Sequence, residues 1–331
     1  MPTAAVPVAP GVGVVAWNHD LVPFARPDLV VTAGAPVGLF GFVRLDVAYV
    51  DSAVGLRPAV RTHAPVTVPP VDGLLVERSG GIVTLTINRP ERKNAITGEM
   101  WRGLVEIFDD LATRTDDRVL VITGAGDAFC SGADLTAAAE GDAPAGAGAS
   151  VASMRMVGRA ALRLHELPLP TIAAVNGVAA GAGCNLALGC DLILASERAR
   201  FTEIFARRGL ALDFGGSWLL PRLVGLHRAK ELAFLGEIID AREAERIGLV
   251  NHVVPHDAFD GSVATMAERL AAMPPLQLAV IKRQLNDGIN HTMAEAVESE
   301  GIAQSLMFSS RDTAEALVAF IEKRDPKFTG E

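Results

Sequence analysis

Between Pro170 and Ser196 the chain reads P-T-I-A-A-V-N-G-V-A-A-G-A-G-C-N-L-A-L-G-C-D-L-I-L-A-S, and the chemistry open to such a stretch is that of its backbone. Gly177, Gly181, Ala182 and Gly183 carry so little side chain that a ligand atom can touch the main chain. A helix opening near Ala182 points unpaired N–H groups outward. Such a loop serves either a dinucleotide pyrophosphate or an oxygen that is becoming an anion. The first use needs a third small residue for close helix packing, but Leu186 stands there, and the next strand ends in Ser196 instead of an acidic ribose ligand. The pattern therefore favours an oxyanion hole.

The elements that must position this loop are two β-compatible apolar runs, Thr171–Val175 and Leu192–Ala195, with the short helix ending around Gly189. Upstream, Leu74–Glu77 and Ile82–Asn88 read as a strand pair turned by Ser79-Gly80-Gly81. Thr97 reads as the N-cap of a helix whose core face is Met100, Leu104, Ile107, Phe108 and Leu111. Arg118–Gly124 is a buried strand, followed by a tight turn from Ala125 to Leu135. Thr136–Ser150, mostly Ala and Gly, is either a flap over a pocket or a plain surface loop. Met154–Glu166 reads as a helix stopped by Leu167-Pro168-Leu169-Pro170. Further strands are expected at Ala199–Thr202 and Leu249–Val254, with helices at His227–Leu235 and Ala241–Ile247 and a loop at Gly209–Gly216. From Ala258 the pattern is almost wholly helical: Ala258–Ala272, Leu276–Gly288, Thr292–Met307 and Arg311–Lys323. Apolar residues on several faces of these helices suit them to cover another copy of the chain.

Composition narrows the function classes. The 331 residues are half apolar and 21% charged, enough for a large soluble core of one or two domains. A net charge of −9 without a basic block argues against nucleic acid as a main partner. No apolar run is long enough to span a membrane and the start lacks a secretory pattern, so the expected location is the cytoplasm. Cys130, Cys184 and Cys190 read as reduced buried thiols, with neither disulfide nor metal site implied. Residues 1–70 stand apart: they hold ten of the nineteen prolines, no lysine, and four Arg against four Asp. They read as an N-terminal extension with little fold of its own, or as an ordered appendage; Gly41–Val50 is apolar enough for a strand.

Several motifs then occur in one order: N-R-P-E-R-K-N-A at 88–95, F-C-S-G-A-D-L at 129–135, A-A-V-N-G-V-A-A-G-A-G-C at 173–184, L-P-R-L-V-G at 220–225, A-E-R-I-G-L-V at 244–250, and the ending A-F-I-E-K-R-D-P-K-F-T-G. Together they closely resemble the crotonase superfamily, the enoyl-CoA hydratases and isomerases, over roughly residues 72 to 331. The resemblance implies an α/β fold, a spiral of ββα turns at 71–257 with a C-terminal helical oligomerisation region at 258–331, assembled as a homotrimer or homohexamer. It implies an acyl-CoA thioester as substrate, coenzyme A being part of that substrate and no other cofactor being needed. Two backbone N–H groups would bind the thioester oxygen as it becomes an enolate, and the matching positions are Ser131 and Ala182 beside Gly181. By the same resemblance Arg92 or Lys93 would meet the CoA phosphates, Ala95 and the backbone of Gly132, Ala133 and Asp134 its adenine, and Phe320 with Lys323 the CoA of a neighbouring subunit. For Arg92 and Lys93, solvated loop charges are an equal reading.

The chain departs from the hydratases where their two glutamates would stand. The first position is Asn185 and the second, aligned without gaps, is Phe205, so the two-carboxylate apparatus for adding water is missing. Asp213, in G-L-A-L-D-F-G-G-S-W, resembles the single acid/base of the isomerase branch that includes ring-opening phenylacetyl-CoA epoxide isomerases. Leu212, Phe214 and Trp218 are expected to raise its pKa; the competing reading is an Asp that caps the next helix. Glu203 is the reserve carboxylate, expected at the surface. His165, His227, His252, His256 and His291 match no motif of the family. The expected activity is enoyl-CoA isomerase; the alternatives are enoyl-CoA hydratase and a non-catalytic acyl-CoA-binding protein.

Overall fold

In the computed structural model, residues 29–33, 45–49, 71–136 and 147–331 are described. The chain divides into two units, Met1–Val66 and Thr67–Glu331. In the first, β1 (Leu29–Ala33) and β2 (Leu45–Tyr49) form an antiparallel ladder, β2 falling within the apolar run at 41–50. The rest of the expected extension lies outside the described residues, as do residues 137–146 of the expected flap.

The second unit opens with the hairpin β3 (Leu74–Ser79) and β4 (Ile82–Ile87), then helix α1 (Gly98–Leu111). Thr97 caps α1 by accepting a hydrogen bond from the Met100 N–H at 3.2 Å. From there consecutive strands alternate between two sheets: β5 (Val119–Gly124) then β6 (Ala128–Cys130), β7 (Thr171–Val175) then β8 (Val178–Ala180), β9 (Leu192–Ser196) then β10 (Arg200–Thr202). Helix α2 (Ala147–Glu166) precedes β7 and packs on α1; it begins before the expected Met154, in the alanine-rich segment. Helix α3 (Ala182–Leu188) lies between β8 and β9. After β10 come α4 (Gly216–Val224), α5 (Leu226–Leu235), β11 (Ile239–Asp240), α6 (Ala241–Arg246) and β12 (His252–Val254). The larger sheet has the order β12-β9-β7-β5-β4-β3 and the smaller β11-β10-β8-β6, with β5, β7, β9 and β12 parallel in the first and β6, β8 and β10 parallel in the second. This is the expected α/β spiral.

Why β5 and β7 are mostly apolar follows from the layers on each side. Alternate residues of a strand point to opposite faces, and here both faces are covered. Leu120, Ile122, Ala173 and Val175 enter the main core with α1, whereas Val119, Val121, Ile172 and Ala174 meet Phe259 and Ala267 of α7 (Phe259–Ala271).

Beyond α7 the helices are α8 (Pro275–Gly288), α9 (Met293–Met307) and α10 (Arg311–Glu322). Lys282 of α8 reaches back to Asp191 at 2.8 Å, and Asp312 at the start of α10 accepts the N–H groups of Thr329 and Gly330. The first contact ties the helical layer to the spiral, and the other two tie the tail to α10. The outer surface of the layer is apolar: Leu285, Met293, Phe308, Phe320 and Ile321 are all at least 70% exposed. Among the described residues no helix is long and apolar enough to cross a membrane.

Candidate active site

Strands β6, β8 and β10 run parallel and side by side, so the segments leaving their carboxyl ends, Ser131–Leu135, Gly181–Ala182 and Glu203–Phe205, come together. The first two touch through glycine. A Cβ on Gly183 would lie 2.2 Å from the Cys130 carbonyl oxygen. Gly132 has φ +103°, and a Cβ there would lie 2.9 Å from the Ala180 carbonyl oxygen and 3.6 Å from the Ala182 nitrogen. Only residues without a side chain let the two loops approach this closely.

Which amides stay free there is decided by long-range pairing. The Ser131 N–H donates to the Lys93 carbonyl at 3.0 Å, and the Gly132 N–H to the Cys130 sulfur at 3.4 Å. Ile96 then bridges Ala133 in parallel fashion, donating to the Gly132 carbonyl and accepting from the Asp134 N–H, both at 2.9 Å. In such a bridge the N–H of Ala133 itself faces away from Ile96. It is engaged by no group among the described residues, and neither is the Ala182 N–H at the first position of α3. The expectation at Ser131 is therefore corrected: its amide is consumed within the loop, and Ala133, two residues on, presents the free one.

On the other side of Ala182 a polar cluster is buried. Asn185, fully enclosed, donates from Nδ2 to the backbone carbonyl of Asp213 at 3.0 Å and to the Glu203 carboxylate at 3.4 Å. It fits because Gly216 has no Cβ, which would fall 2.3 Å from that nitrogen. Glu203 is 2% exposed, which overturns its expected surface position: it follows the buried end of β10 and packs against α3. Phe205, at the second hydratase position, lies against Gly181, whose Cβ would stand 3.6 Å from the ring.

The Asp213 carboxyl does not cap α4, whose N-cap is Gly215 with no side-chain bond. Phe214 and Gly215 are both left-handed, with φ 47° and 79°, and the turn packs the Phe214 ring on Trp101 with centroids 5.4 Å apart. Strain of this kind collects at functional sites. Trp218 meets His165 edge-on at 5.2 Å and carries the Arg222 guanidinium 4.0 Å from its ring. Oδ1 of Asp213, Oε1 of Glu203 and Oδ1 of Asn185 are buried without a hydrogen-bond partner. Burial raises Asp213 to about 6. Burial, helped by the Asp213 charge and opposed by hydrogen bonds from Cys184 and Asn185, raises Glu203 to about 7.

The residues expected to hold CoA divide. Arg92 and Lys93 are exposed; Lys93 is committed to Asp127 at 2.6 Å, whereas the Arg92 guanidinium has no partner among the described residues. Asp134 is a brace: Thr136 and then Arg89 hold its carboxyl down at about 2, and the same Arg89 nitrogen donates to the Ala95 carbonyl at 2.7 Å. Gly132 and Asp134 spend one backbone group each on Ile96. Phe320 and Lys323 are exposed at the end of α10, and among the described residues no hydrogen bond or ion pair ties them to the loops. Cys130 and Cys190, buried, have thiols pushed up to about 12, which removes them as nucleophiles. No group of three His, Cys, Asp or Glu able to hold a metal occurs among the described residues.

Known proteins resemble this chain in sequence and in fold. The chain is 40% identical over 253 residues, 76% of its length and 95% of the relative's, to the 1,2-epoxyphenylacetyl-CoA isomerase of Escherichia coli. It is 33% identical over 255 residues to the short-chain-enoyl-CoA hydratase of Clostridium acetobutylicum, covering 77% of this chain and 96% of that one. The crystal structure of an enoyl-CoA hydratase from Bacillus anthracis superposes with a TM-score of 0.75 at 32% identity, covering 78% of this chain and all of the other. The family model for enoyl-CoA hydratase/isomerase matches residues 77–331, from β3 through both loops to the last residue. With three quarters of its length matched in sequence and in fold, the chain belongs to the enoyl-CoA hydratase/isomerase family of the crotonase superfamily.

Proposed function

We propose that the chain isomerises an enoyl-CoA thioester, moving a double bond by a proton shift that Asp213 begins. The observation that carries this reading is the Asp213 carboxyl itself: half-buried, with an enclosed and unpartnered Oδ1, freed from any capping duty, and raised to about 6, so that it is ionised but basic near neutral pH. The substitutions at the two hydratase positions, Asn185 and Phe205, support it, and so does the isomerase name of the Escherichia coli relative.

In a 3-enoyl-CoA the thioester oxygen would lie at the N–H groups of Ala133 and Ala182. Asp213 takes a proton from C2, and the electron pair moves onto that oxygen as a dienolate. A donor aimed at such developing charge contributes about 3 kcal/mol to the transition state. Protonation at C4 then leaves the 2-enoyl thioester. Of the two loop cations expected at CoA, Arg92, unpaired among the described residues, is the one free for a phosphate. The exposed apolar face of α8–α10 supports assembly into a homotrimer or homohexamer, in which Phe320 and Lys323 would reach a neighbour's CoA. A cytoplasmic enzyme acting without a further cofactor fits this chemistry.

Asp213→Asn keeps the shape of the turn but cannot accept the proton. With 3-enoyl-CoA thioesters its turnover should fall at least about a hundredfold while ester binding changes little. Unchanged isomerisation would remove Asp213 from the mechanism. Conversion of 2-enoyl-CoA to the 3-hydroxy thioester, without isomerisation, would make the protein a hydratase, and binding without turnover a carrier.

A further inference from the structure

Glu203 is a buried carboxyl for which neither the motifs nor the one-carboxylate reaction provides a use. It is 2% exposed, Oε1 has no partner, and the carboxyl is met by a long bond, 3.4 Å, from Asn185 to Oε2 and by the weak Cys184 thiol donor. No cation pairs with it among the described residues; the titratable groups acting on it are Asp213 and the Cys184 thiol. An ionised carboxylate so placed is poorly compensated, whereas a protonated one carries an O–H still seeking an acceptor. The same Asn185 amide holds the Asp213 backbone, and the Gly181 N–H is bonded to the Thr202 carbonyl at 2.9 Å, one residue before Glu203. Glu203, Asp213 and the free Ala182 amide are thus fastened to one junction.

We propose that Glu203 is a second proton-transfer group of this site, linked to Asp213 through Asn185 and delivering the proton to C4 while Asp213 removes the one at C2. The inference rests on the isomerase reading and deepens it. Two carboxyls held apart in acidity divide the roles of base and acid between them. Asp213, the more acidic, is the base, and Glu203 enters protonated. In each turnover the C2–H bond breaks toward Asp213 and its pair forms the dienolate. The dienolate pair then takes the Glu203 proton to make C4–H. The site is left with Asp213 protonated and Glu203 ionised, and one proton passed back, directly or through solvent, resets it.

A single turnover with enzyme in excess, equilibrated in heavy water and mixed with unlabelled 3-enoyl-CoA, reads the donor directly. Delivery by Glu203 places deuterium at C4 of essentially all product. A lone Asp213 shuttle would carry the substrate's own hydrogen there, and that result overturns the proposal without any variant. Turnover of the unaltered enzyme should rise as pH passes about 6, where Asp213 ionises, and fall above about 7, where Glu203 loses its proton. Glu203→Gln keeps the Asn185 contact but has no proton to give. It should lose at least about tenfold in kcat with KM little changed, lose the alkaline fall in rate, and pass the substrate hydrogen to C4. A folded Glu203→Gln enzyme with unchanged rate, pH profile and label overturns the role of Glu203. If Asp213→Asn is then still inactive, the isomerase reading stands and only this inference falls; if Asp213→Asn is unaffected as well, both fall.

Discussion

Helices α1 and α9 are of nearly equal length and similarly rich in apolar residues, yet the chain treats them oppositely. Nine of the fourteen residues of α1 are buried, because Met100, Leu104, Ile107, Phe108 and Leu111 recur on one face against the sheet and α2. In α9 no residue is buried: Met293, Val297, Ile302 and Leu306 stay 84%, 54%, 58% and 61% exposed. The first helix is a component of a core that a single chain completes. The second presents exposed apolar side chains of the kind that proteins cover with a partner. The candidate acid/base and oxyanion groups belong to the first region: three segments leave parallel strands of the spiral, and Asp213 lies in the turn before α4.

If the core alone builds the chemistry, one missing hydrogen should be enough to disable it. Proline at 182 removes the free N–H, and the first position of a helix is the place where proline fits best. Ala182→Pro should therefore fold, with unchanged circular dichroism and assembly size, and lose about a hundredfold or more in turnover. Ala182→Gly, which retains the donor, should stay near the unaltered rate. Normal turnover in a folded proline variant would take Ala182 out of the oxyanion site and weaken the claim that the spiral backbone does this work.

The helical layer should respond in the other way. Phe320 and Ile321 are 84% and 77% exposed, so replacing both by Glu disturbs no packing within the chain. The expected result is a smaller particle by sedimentation, unchanged helix content, and weaker binding of CoA esters if a neighbour's α10 completes the site. A particle of unchanged mass would show that this end of the layer is not an interface.

The same contrast explains what could be read without coordinates. Strands β5, β7 and β9 are mostly apolar because both faces are covered, and α1 shows its helical period plainly. Ala128-Phe129-Cys130 and Val178-Ala179-Ala180 look like pieces of turns: each has three residues, mostly small, and becomes a strand only by lying beside its neighbours in the smaller sheet. Helix α4 is disguised by Gly215-Gly216 at its start and Pro221 within it. In the site, the small residues around 131 and 182 mark two loops that the fold brings together, but which amide stays free depends on Lys93 and Ile96, more than thirty residues before the turn they pair with. Glu203 shows no local sign of burial. One signal was available: it follows the third of three short parallel strands, and residues at the carboxyl ends of such strands face the ligand.

The smallest effect is expected at the other end of the chain. The family model begins at residue 77, and the matched relatives are covered almost end to end by about three quarters of this chain. Deleting residues 1–70 should leave turnover and assembly size unchanged, because the spiral, its site and its helical layer all lie beyond the cut. The position of the cut matters physically. Val71 fills the space in front of Gly103 on α1, where a Cβ would come within 2.7 Å of its side chain, and its carbonyl accepts the Leu74 N–H at 3.0 Å. The Gly73 carbonyl accepts the Asn88 N–H at 2.8 Å. Extending the deletion to residue 73 exposes that face of α1 and strands two amides, which should lower the denaturation midpoint by a few degrees, equivalent to about 1–2 kcal/mol. Equal stability of the two truncations would place the true edge of the core after Gly73, and loss of assembly in the shorter deletion would mean that the first seventy residues support the layer that the spiral does not bury.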